Sequence, residues 1–487
     1  MKRIAIGLIF SASLAAAVAQ TNAPTRALSL ADCIAEALKH NFDVQVERYE
    51  PAKSLLNLHA AYAGYDPTFS LSATHSHSEA GGIYFGTNGV PFSDNNNFNS
   101  GLSGTLPLGT TYDLFGGVKS GYVPQPEGTG GQIGVKVTQP LLKDFWIDGT
   151  RLSISARKNQ LRQSEQALRL QLITTVAAVE FAFYELIYAR ESVEVEQNAL
   201  NLAQTQLSQD KQRVQVGSIA PLDVQQDESQ VASSRANLIA AQFNLAKSQN
   251  ALKNLITDAY LQWHDTDLQP AATLEAVRQF LDLQDSWSQG MALRPELLQA
   301  KLTLEQQGIQ LRYDRNQLFP QLDLTGSYGY NGGGVGYDDT FGQYATANRP
   351  FASYGATLSI PLGNLGPRNS YKADQTTEKQ DLLRLKQLEQ TIMVQIDNAV
   401  KAVQSAWESV DATKQARVFA EAALDAEQKK YNVGKSTTFT VLQLQNNLTA
   451  ARSQEIRSLA NYNEAISNLA QQEGTTLKRR NLDVSVK

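Results

Sequence analysis

Two long stretches of the chain carry apolar or small residues at alternating spacings of four and three. A sustained 3.5-residue spacing predicts helices that pack against neighbouring helices in a left-handed supercoil. About 60 residues at 1.5 Å per residue make a rod of roughly 90 Å, far longer than one compact domain needs. The positions concerned are Leu172, Val176, Val179, Phe183 and Leu186 in the first stretch, and Ile392, Ile396, Ala399, Val403, Ala406, Val410 and Thr413 in the second.

Four shorter segments alternate between apolar and polar or small side chains, which predicts strands with two different faces. This alternation is typical of a membrane barrel wall, with lipid outside and water inside. A soluble antiparallel sheet with one wet face gives the same period, so both interpretations stay open at this point. Residues 98–121 contain a further hairpin-like stretch that the pattern does not place. The four predicted strands are residues 68–79, 132–140, 321–331 and 351–361.

These segments occur in the same order in two similar halves, residues 20–285 and 286–474. The sequence QRVQVG at 212–217 matches KKYNVG at 429–434. Each half is therefore one unit of helix, strand, loop, strand and long helical hairpin, used twice. Four strands cannot close a barrel with a useful lumen, so several copies would have to share one barrel. The hairpins are expected to turn near 217–221 and 434–438, and 475–487 to form a mobile C-terminal tail.

The N-terminus has the features of a secretory signal peptide. Lys2 and Arg3 precede an apolar stretch, and Ala17-Val18-Ala19 offers a cleavage site, so residues 1–19 are expected to be removed on export. Beyond them, no apolar run long enough for a membrane-spanning helix is evident.

The charge and the chemistry-bearing residues exclude several function classes. A net charge of −5 over 487 residues, without a dense Lys/Arg block, disfavours nucleic acid as a partner. The five His residues are scattered, and no catalytic, metal-ligand or phosphate-binding pattern is present. His75 and His77 could share a metal, but we expect a pair facing solvent or an interface. The chain is therefore expected to be no enzyme and to need no cofactor or metal.

Three sequence motifs resemble those of the TolC-like outer membrane efflux family, over nearly all of the chain after the signal peptide. The segment from Leu28 to Asn41 is similar to the family's first helix. Tyr65-Asp66-Pro67 and Leu318-Phe319-Pro320 are similar to its helix-to-strand junctions, and VGSIAPLDV at 216–224 to its periplasmic hairpin tip. The resemblance implies a mainly α protein with a membrane β part. It also implies a homotrimer with four strands per chain in a twelve-strand transmembrane β-barrel, and long coiled-coil helices in a hollow periplasmic α-barrel.

The resemblance also implies partners and site residues. A periplasmic adaptor and an inner membrane transporter would feed the periplasmic cylinder, and the adaptor would dock at the hairpin tips. Asp223 and Tyr431 match positions that help to hold the family's closed mouth, although Asp223 could equally be a helix N-terminal charge. The residues expected at the docking surface are Val216, Gly217, Ser218, Pro221, Leu222, Val433, Gly434 and Lys435.

The sequence departs from the family pattern beside this gate. Ser436 and Thr437 stand where a basic partner would be expected, and Thr440 and Gln443 where acidic lumen residues would be. We therefore expect a mouth that is held less tightly and is less cation-selective than an acidic one.

The prediction from sequence is thus a passive exit duct of a tripartite efflux system, placed in the outer membrane with a large periplasmic part. The exported substrate would be a small molecule. One alternative is an exit duct for type I protein secretion, which would look alike. A second, of a different class, is a periplasmic coiled-coil rod without a pore.

Overall fold

The computed structural model describes residues 25–79, 92–123 and 125–482, so the predicted signal peptide lies outside the described residues. The chain forms two compact units. The first contains the described parts of Met1–Asn41, Val176–Arg278 and Gln404–Ser467. The second contains Phe42–Thr175, Gln279–Val403 and the described part of Asn468–Lys487.

Long helices alternate with strands along the chain. In order, the elements are β1 (Thr25–Leu28), α1 (Leu30–His40), α2 (Phe42–Ala61), β2 (Thr68–Glu79), β3 (Phe92–Thr105), β4 (Thr111–Val123), β5 (Gln125–Pro140), α3 (Gly149–Gln215), α4 (Pro221–Ile256), α5 (Tyr260–Trp263), β6 (Asp267–Pro270), α6 (Leu283–Leu293), α7 (Pro295–Gln317), β7 (Gln321–Gly334), α8 (Tyr337–Thr346), β8 (Pro350–Ser359), α9 (Leu365–Asn432), α10 (Thr438–Glu473) and α11 (Thr476–Arg479).

The 3.5-residue pattern lies where the long helices are buried, as predicted. Ile392 and Ile396 on α9 are fully buried, and so are Val176 and Val179 on α3. Against the expectation from sequence, α3 also contains a window that is long and apolar enough to cross a membrane. Of that window, 61% is buried inside the protein, which is typical of a core helix.

The second unit contains an antiparallel sheet with the strand order β2-β3-β4-β5-β7-β8. The prediction of four strands per chain is therefore wrong, because the described residues already contribute six strands to this sheet. Residues 98–121, which the sequence pattern did not place, form most of β3 and β4. Their pairing is continuous, with Thr105 opposite Thr111 at the turn and Asp94 opposite Tyr122 at the other end. The extra hairpin thus belongs to the sheet and does not fold over its end.

The two faces of this sheet have different chemistry on every strand. Residues that pair across neighbouring strands point their side chains to the same face, and successive residues along a strand point to opposite faces. A row of paired residues across the sheet therefore lies on one face. One row is mostly apolar, and the row one residue away is wholly polar. The apolar row is Phe69, Leu102, Leu114, Val135, Tyr328 and Ala352, and the polar row is Thr68, Ser103, Asp113, Lys136, Ser327 and Ser353.

Much of the apolar face is uncovered. Leu71 is 75% exposed and Tyr354 94% exposed, and both side chains lie on this face. At one end of the strands, α8 covers part of it. A Cβ atom on Gly131 or Gly332 would come within 2.2 Å and 2.6 Å of Tyr344 and Thr340, so only glycine lets α8 approach this closely. The uncovered part around Leu71 and Tyr354 is an apolar surface of the kind that lipid covers. At the end of β2 and β3 the same face carries His75, His77, Asp94 and Asn96, which contact one another.

The beginning of the C-terminal segment is packed. Thr476 and Leu477 on α11 are buried. Gly474, with a φ of 71°, passes so close to the backbone of Leu293 that a Cβ would lie 3.1 Å from its carbonyl atoms. The expectation of a mobile tail is therefore wrong for 475–477, whose side chains are buried, whereas Lys478, Arg479 and Asn481 beyond them are exposed. Residues 483–487 lie outside the described residues.

Candidate functional site at the helical hairpin tips

Both helical hairpins of the first unit turn in the same way. Gly217 and Gly434 adopt the left-handed conformation, with φ of 71° and 75°. In each turn the next residue donates its backbone N–H to a carbonyl five residues back, from Ser218 to Arg213 and from Lys435 to Lys430, both at 2.9 Å. This pattern ends a helix by satisfying its last carbonyls, and it favours glycine at the left-handed position. The repeat seen in the sequence is thus a repeat of turn geometry.

The residues predicted to contact an adaptor are exposed at these turns. Val216 is 79% exposed, Leu222 62% and Val433 67%. Phe439, which sequence reasoning did not single out, is 65% exposed and directly follows the second turn. Each tip therefore presents uncovered apolar side chains beside glycine backbone. The remaining predicted docking residues, which are also exposed, are Gly217, Ser218, Pro221, Gly434 and Lys435.

Tyr431 lies just inside the second tip and is buried, at 5% exposed. Its hydroxyl lies 2.7 Å and 2.8 Å from the two carboxylate oxygens of Asp210 and donates to this carboxylate. The hydroxyl is also 2.9 Å from Oγ1 of Thr438, on the returning helix. Burial raises the pKa of Tyr431, so the phenol stays protonated and remains a donor. The ring thus ties the second hairpin to α3 of the first.

Asp210 is completely buried and is held by several donors. Besides Tyr431, Nε2 of Gln206 donates to it at 2.8 Å. Nη1 of Arg213 lies 3.6 Å away, and its guanidinium stacks 4.4 Å from the centre of the Tyr431 ring. Arg213 also donates to Asn432 on the second hairpin, at 3.0 Å. The charge of Asp210 is therefore compensated by donors from both hairpins.

Asp227 on α4 is also completely buried, and it has no such compensation. Neither of its carboxylate oxygens has a hydrogen-bond partner within the described ranges. Burial, and next to it the negative charge of Asp210, raise the pKa of Asp227 from 3.8 to about 7. Two buried carboxylates side by side favour the state in which one of them keeps its proton. The tip therefore contains an acid that titrates near neutral pH.

Asp223, the other predicted gate residue, does not join this cluster by a hydrogen bond. Its carboxylate accepts from the backbone N–H of Ala220 at 3.2 Å, which caps the N-terminus of α4. In the second tip, Ser436 donates to Glu427 at 2.6 Å, and Thr437 and Thr440 are 2.9 Å apart. Asp223 and Tyr431 are thus not brought together, and the buried network forms around Tyr431 alone.

Sequence reasoning missed Asp210 and Asp227, although the sequence contains a usable signal. In an antiparallel helical hairpin, residues equally far from the turn lie at the same level. Asp210 and Asp227 are each seven residues outside the 217–220 turn. Opposed acids at matching distances from a turn therefore indicate a carboxyl pair.

A sequence model described as outer membrane efflux protein matches residues 126–257 and 288–475, well over half of the chain. This chain belongs to the outer membrane efflux protein family. The membership confirms the resemblance inferred from the tip and junction motifs. Each of the two matched regions contains one of the two helical hairpins.

Individual relatives are more distant. TolC of Escherichia coli is 26% identical over 301 residues, and the match spans 61% of this chain but only 60% of TolC. The efflux protein BepC of Brucella suis is 24% identical, over 66% of this chain and 68% of its own. The crystal structure of the CmeC outer membrane channel of Campylobacter jejuni covers 92% of this chain and 86% of its own, at a TM-score of 0.67 and 15% identity. Such a low identity shows the fold alone.

Proposed function

We propose that this chain is the outer membrane exit duct of a tripartite efflux system. The observation that carries the proposal is the six-stranded sheet, which has an exposed apolar face and a polar face with Asp113, Lys119 and Lys136. In the absence of water, backbone polar groups have to pair within the protein, so a sheet enters lipid only as part of a closed barrel. Membership of an efflux family supports export as the use of that barrel.

The edges of the sheet indicate how the barrel would close. Strands β2 and β8 are each paired on one side only within the described chain. The β8 edge of one copy would pair with the β2 edge of the next, which removes both edges. A homotrimer would then share 3 × 6 = 18 strands instead of the twelve implied by resemblance. With strands about 4.8 Å apart and tilted by about 40°, the barrel would be roughly 36 Å across, against roughly 24 Å for twelve strands.

The hairpin tips would form the periplasmic mouth, where a periplasmic adaptor and an inner membrane transporter deliver the cargo. The exposed apolar residues beside Gly217 and Gly434 support docking of a partner hairpin there. The network of Tyr431, Asp210 and Arg213 joins the two hairpins and would hold the mouth closed. Asp223 would contribute through the stability of its own helix. The duct is passive, and its energy would come from the transporter.

Docking can be tested by cross-linking in cells. Val433→Cys places a thiol at the exposed tip, directly after the end of α9, and Val394→Cys places one within α9, where Val394 is 52% exposed. We expect Val433→Cys to give a cross-linked product whose mass is that of this chain plus one adaptor, and Val394→Cys to give none. Equal products from both positions, or none from either, would argue against the tips as the docking surface.

A second candidate, the exit duct for type I protein secretion, is favoured by the same extra hairpin. A barrel of roughly 36 Å is wide enough for an unfolded polypeptide, whereas small molecules do not require that width. Identification of the transporter that co-purifies through the cross-linked adaptor distinguishes the two.

A further inference from the structure

A cavity of about 500 Å³ lies between α3 and α7 in the second unit. Ligand sites of proteins commonly have volumes of roughly 300 to 1,000 Å³. Its lining contains four cationic side chains and the carboxylate of Glu305, so its charge is strongly positive. The four cations are Arg151, Lys158, Arg162 and Arg312.

The polar groups in this cavity are only partly satisfied. Glu305 pairs with Arg162 at 3.4 Å, and Arg312 uses its Nε on the backbone carbonyl of Gly308. The ammonium of Lys158 has no partner in the described part of the chain. Asn159 is 2% exposed, and its Nδ2 donates to the carbonyl of a residue on α7 at 2.8 Å. Its Oδ1 lacks a partner there, so the cavity offers free donors and one buried acceptor.

The position of the cavity relative to the sheet suggests its ligand. Helix α3 begins a few residues after β5, and α7 ends a few residues before β7, so both lead directly to the sheet. Trp146 is 58% exposed at the sheet-side end of the cavity and stacks with Arg151 at 5.6 Å. Exposed Trp is typical of the boundary between lipid and water. Large apolar residues are exposed at the same ends of the strands, namely Leu141, Phe319, Ile360 and Leu362.

We propose that this cavity binds the phosphate-containing headgroup of a glycerophospholipid from the adjoining leaflet. The proposal rests on the proposed membrane position of the sheet. The guanidinium of Arg312 and the ammonium of Lys158 contact the phosphate, for which both groups are suited. Oδ1 of Asn159 accepts from a hydroxyl or ammonium of the headgroup. The acyl chains lie along the apolar surface beside Trp146.

The test is lipid binding to the detergent-purified full-length oligomer, followed by native mass spectrometry with phosphatidylglycerol as the probe. Lys158→Ala and Arg312→Ala each remove one charge-assisted hydrogen bond, and we expect about tenfold weaker binding for each. Arg157→Ala is the matched control. This residue is exposed on the same helix, contacts Gln160 and does not line the cavity, so binding should be unchanged.

Two results would overturn the proposal. Equal binding by Lys158→Ala, Arg312→Ala and the parent protein would place the lipid elsewhere. Displacement of phosphatidylglycerol by millimolar inorganic phosphate would make the cavity a site for free anions. Channel conductance of the same preparations distinguishes failure of the lipid site from failure of the proposed function. Intact conductance without site-specific lipid binding contradicts the lipid site only, whereas absence of conductance from both the parent protein and Tyr431→Phe contradicts the proposed function.

Discussion

Replacing Asp227 with Asn tests whether the hairpin tip responds to pH through its buried acid. Asn keeps the shape of the side chain but cannot ionise. In the folded tip the pKa of Asp227 is raised from 3.8 to about 7, mainly by burial and then by the charge of Asp210. A raised pKa in an acid favours the folded form at low pH. Its contribution is complete below a pH of about 4 and is lost as the pH rises through about 7.

The expected magnitude follows from these values. The full difference between 3.8 and about 7 corresponds to roughly 4 kcal/mol, at about 1.4 kcal/mol per pKa unit. Most of this is lost below pH 6, and about 1.4 kcal/mol is lost between pH 6 and pH 8. If opening of the tip returns Asp227 to water, the opening equilibrium should increase about tenfold over this interval. Any relaxation of the tip on ionisation of Asp227 lowers this penalty, so tenfold is the upper limit.

Hydrogen exchange measures this opening directly. The amides of 221–230 should open up to about tenfold more often at pH 8 than at pH 6, after correction for the intrinsic exchange rate. In Asp227→Asn that increase should disappear. Asp314→Asn is the matched control, because burial and the nearby Asp374 raise the pKa of Asp314 to about 6, but in the second unit. It should keep the tip's pH response. An unchanged pH response in Asp227→Asn would refute the reasoning.

Three other substitutions test separate parts of the account. Tyr431→Phe leaves the buried carboxylate of Asp210 without its closest donor, at a cost of about 1–3 kcal/mol, and should raise the open probability of single channels. Gly434→Ala forces a side chain into the left-handed conformation, at about 1–2 kcal/mol, and should lower the thermal stability of the tip measured by limited proteolysis. Leu71→Arg puts a charge on the exposed apolar face. It should make insertion into the outer membrane less favourable by about 2–4 kcal/mol, so that less of the variant inserts. Ser72→Arg, on the polar face, should insert normally, and equal insertion of both would contradict the assignment of the faces.

The repetitive parts of this fold could be predicted because their signals are local. A period of 3.5 residues marks the buried stripes of α3 and α9, and a glycine after each long helix marks its end. Strands β7 and β8 alternate clearly, as in Leu322, Leu324 and Tyr328. Each of these patterns has a direct steric cause, so a single sequence is sufficient to find it.

The extra hairpin could not be predicted in the same way. Strand β3 reads FSDNNNFNSGLSGT, which is rich in Asn, Ser and Gly and resembles a loop. Its strand conformation comes from ladder bonds to β2 and β4 on both sides, so it depends on tertiary context and not on intrinsic preference. The carboxyl pair was missed for a related reason. An acid on a helix usually faces water. Only the geometry of the hairpin brings Asp210 and Asp227 together where both side chains are buried from solvent.

The central claim is that copies of this chain enclose a pore through the membrane, and single-channel recording in a planar bilayer tests it most directly. The purified protein should give small, long-lived openings, and Tyr431→Phe should increase their frequency. In that variant, the diameter of the smallest polymer that is excluded from the lumen should match a barrel of eighteen strands and not one of twelve. Silence from a folded, helical oligomer, with the Tyr431→Phe variant equally silent, would contradict the account and favour a structural rod without a pore.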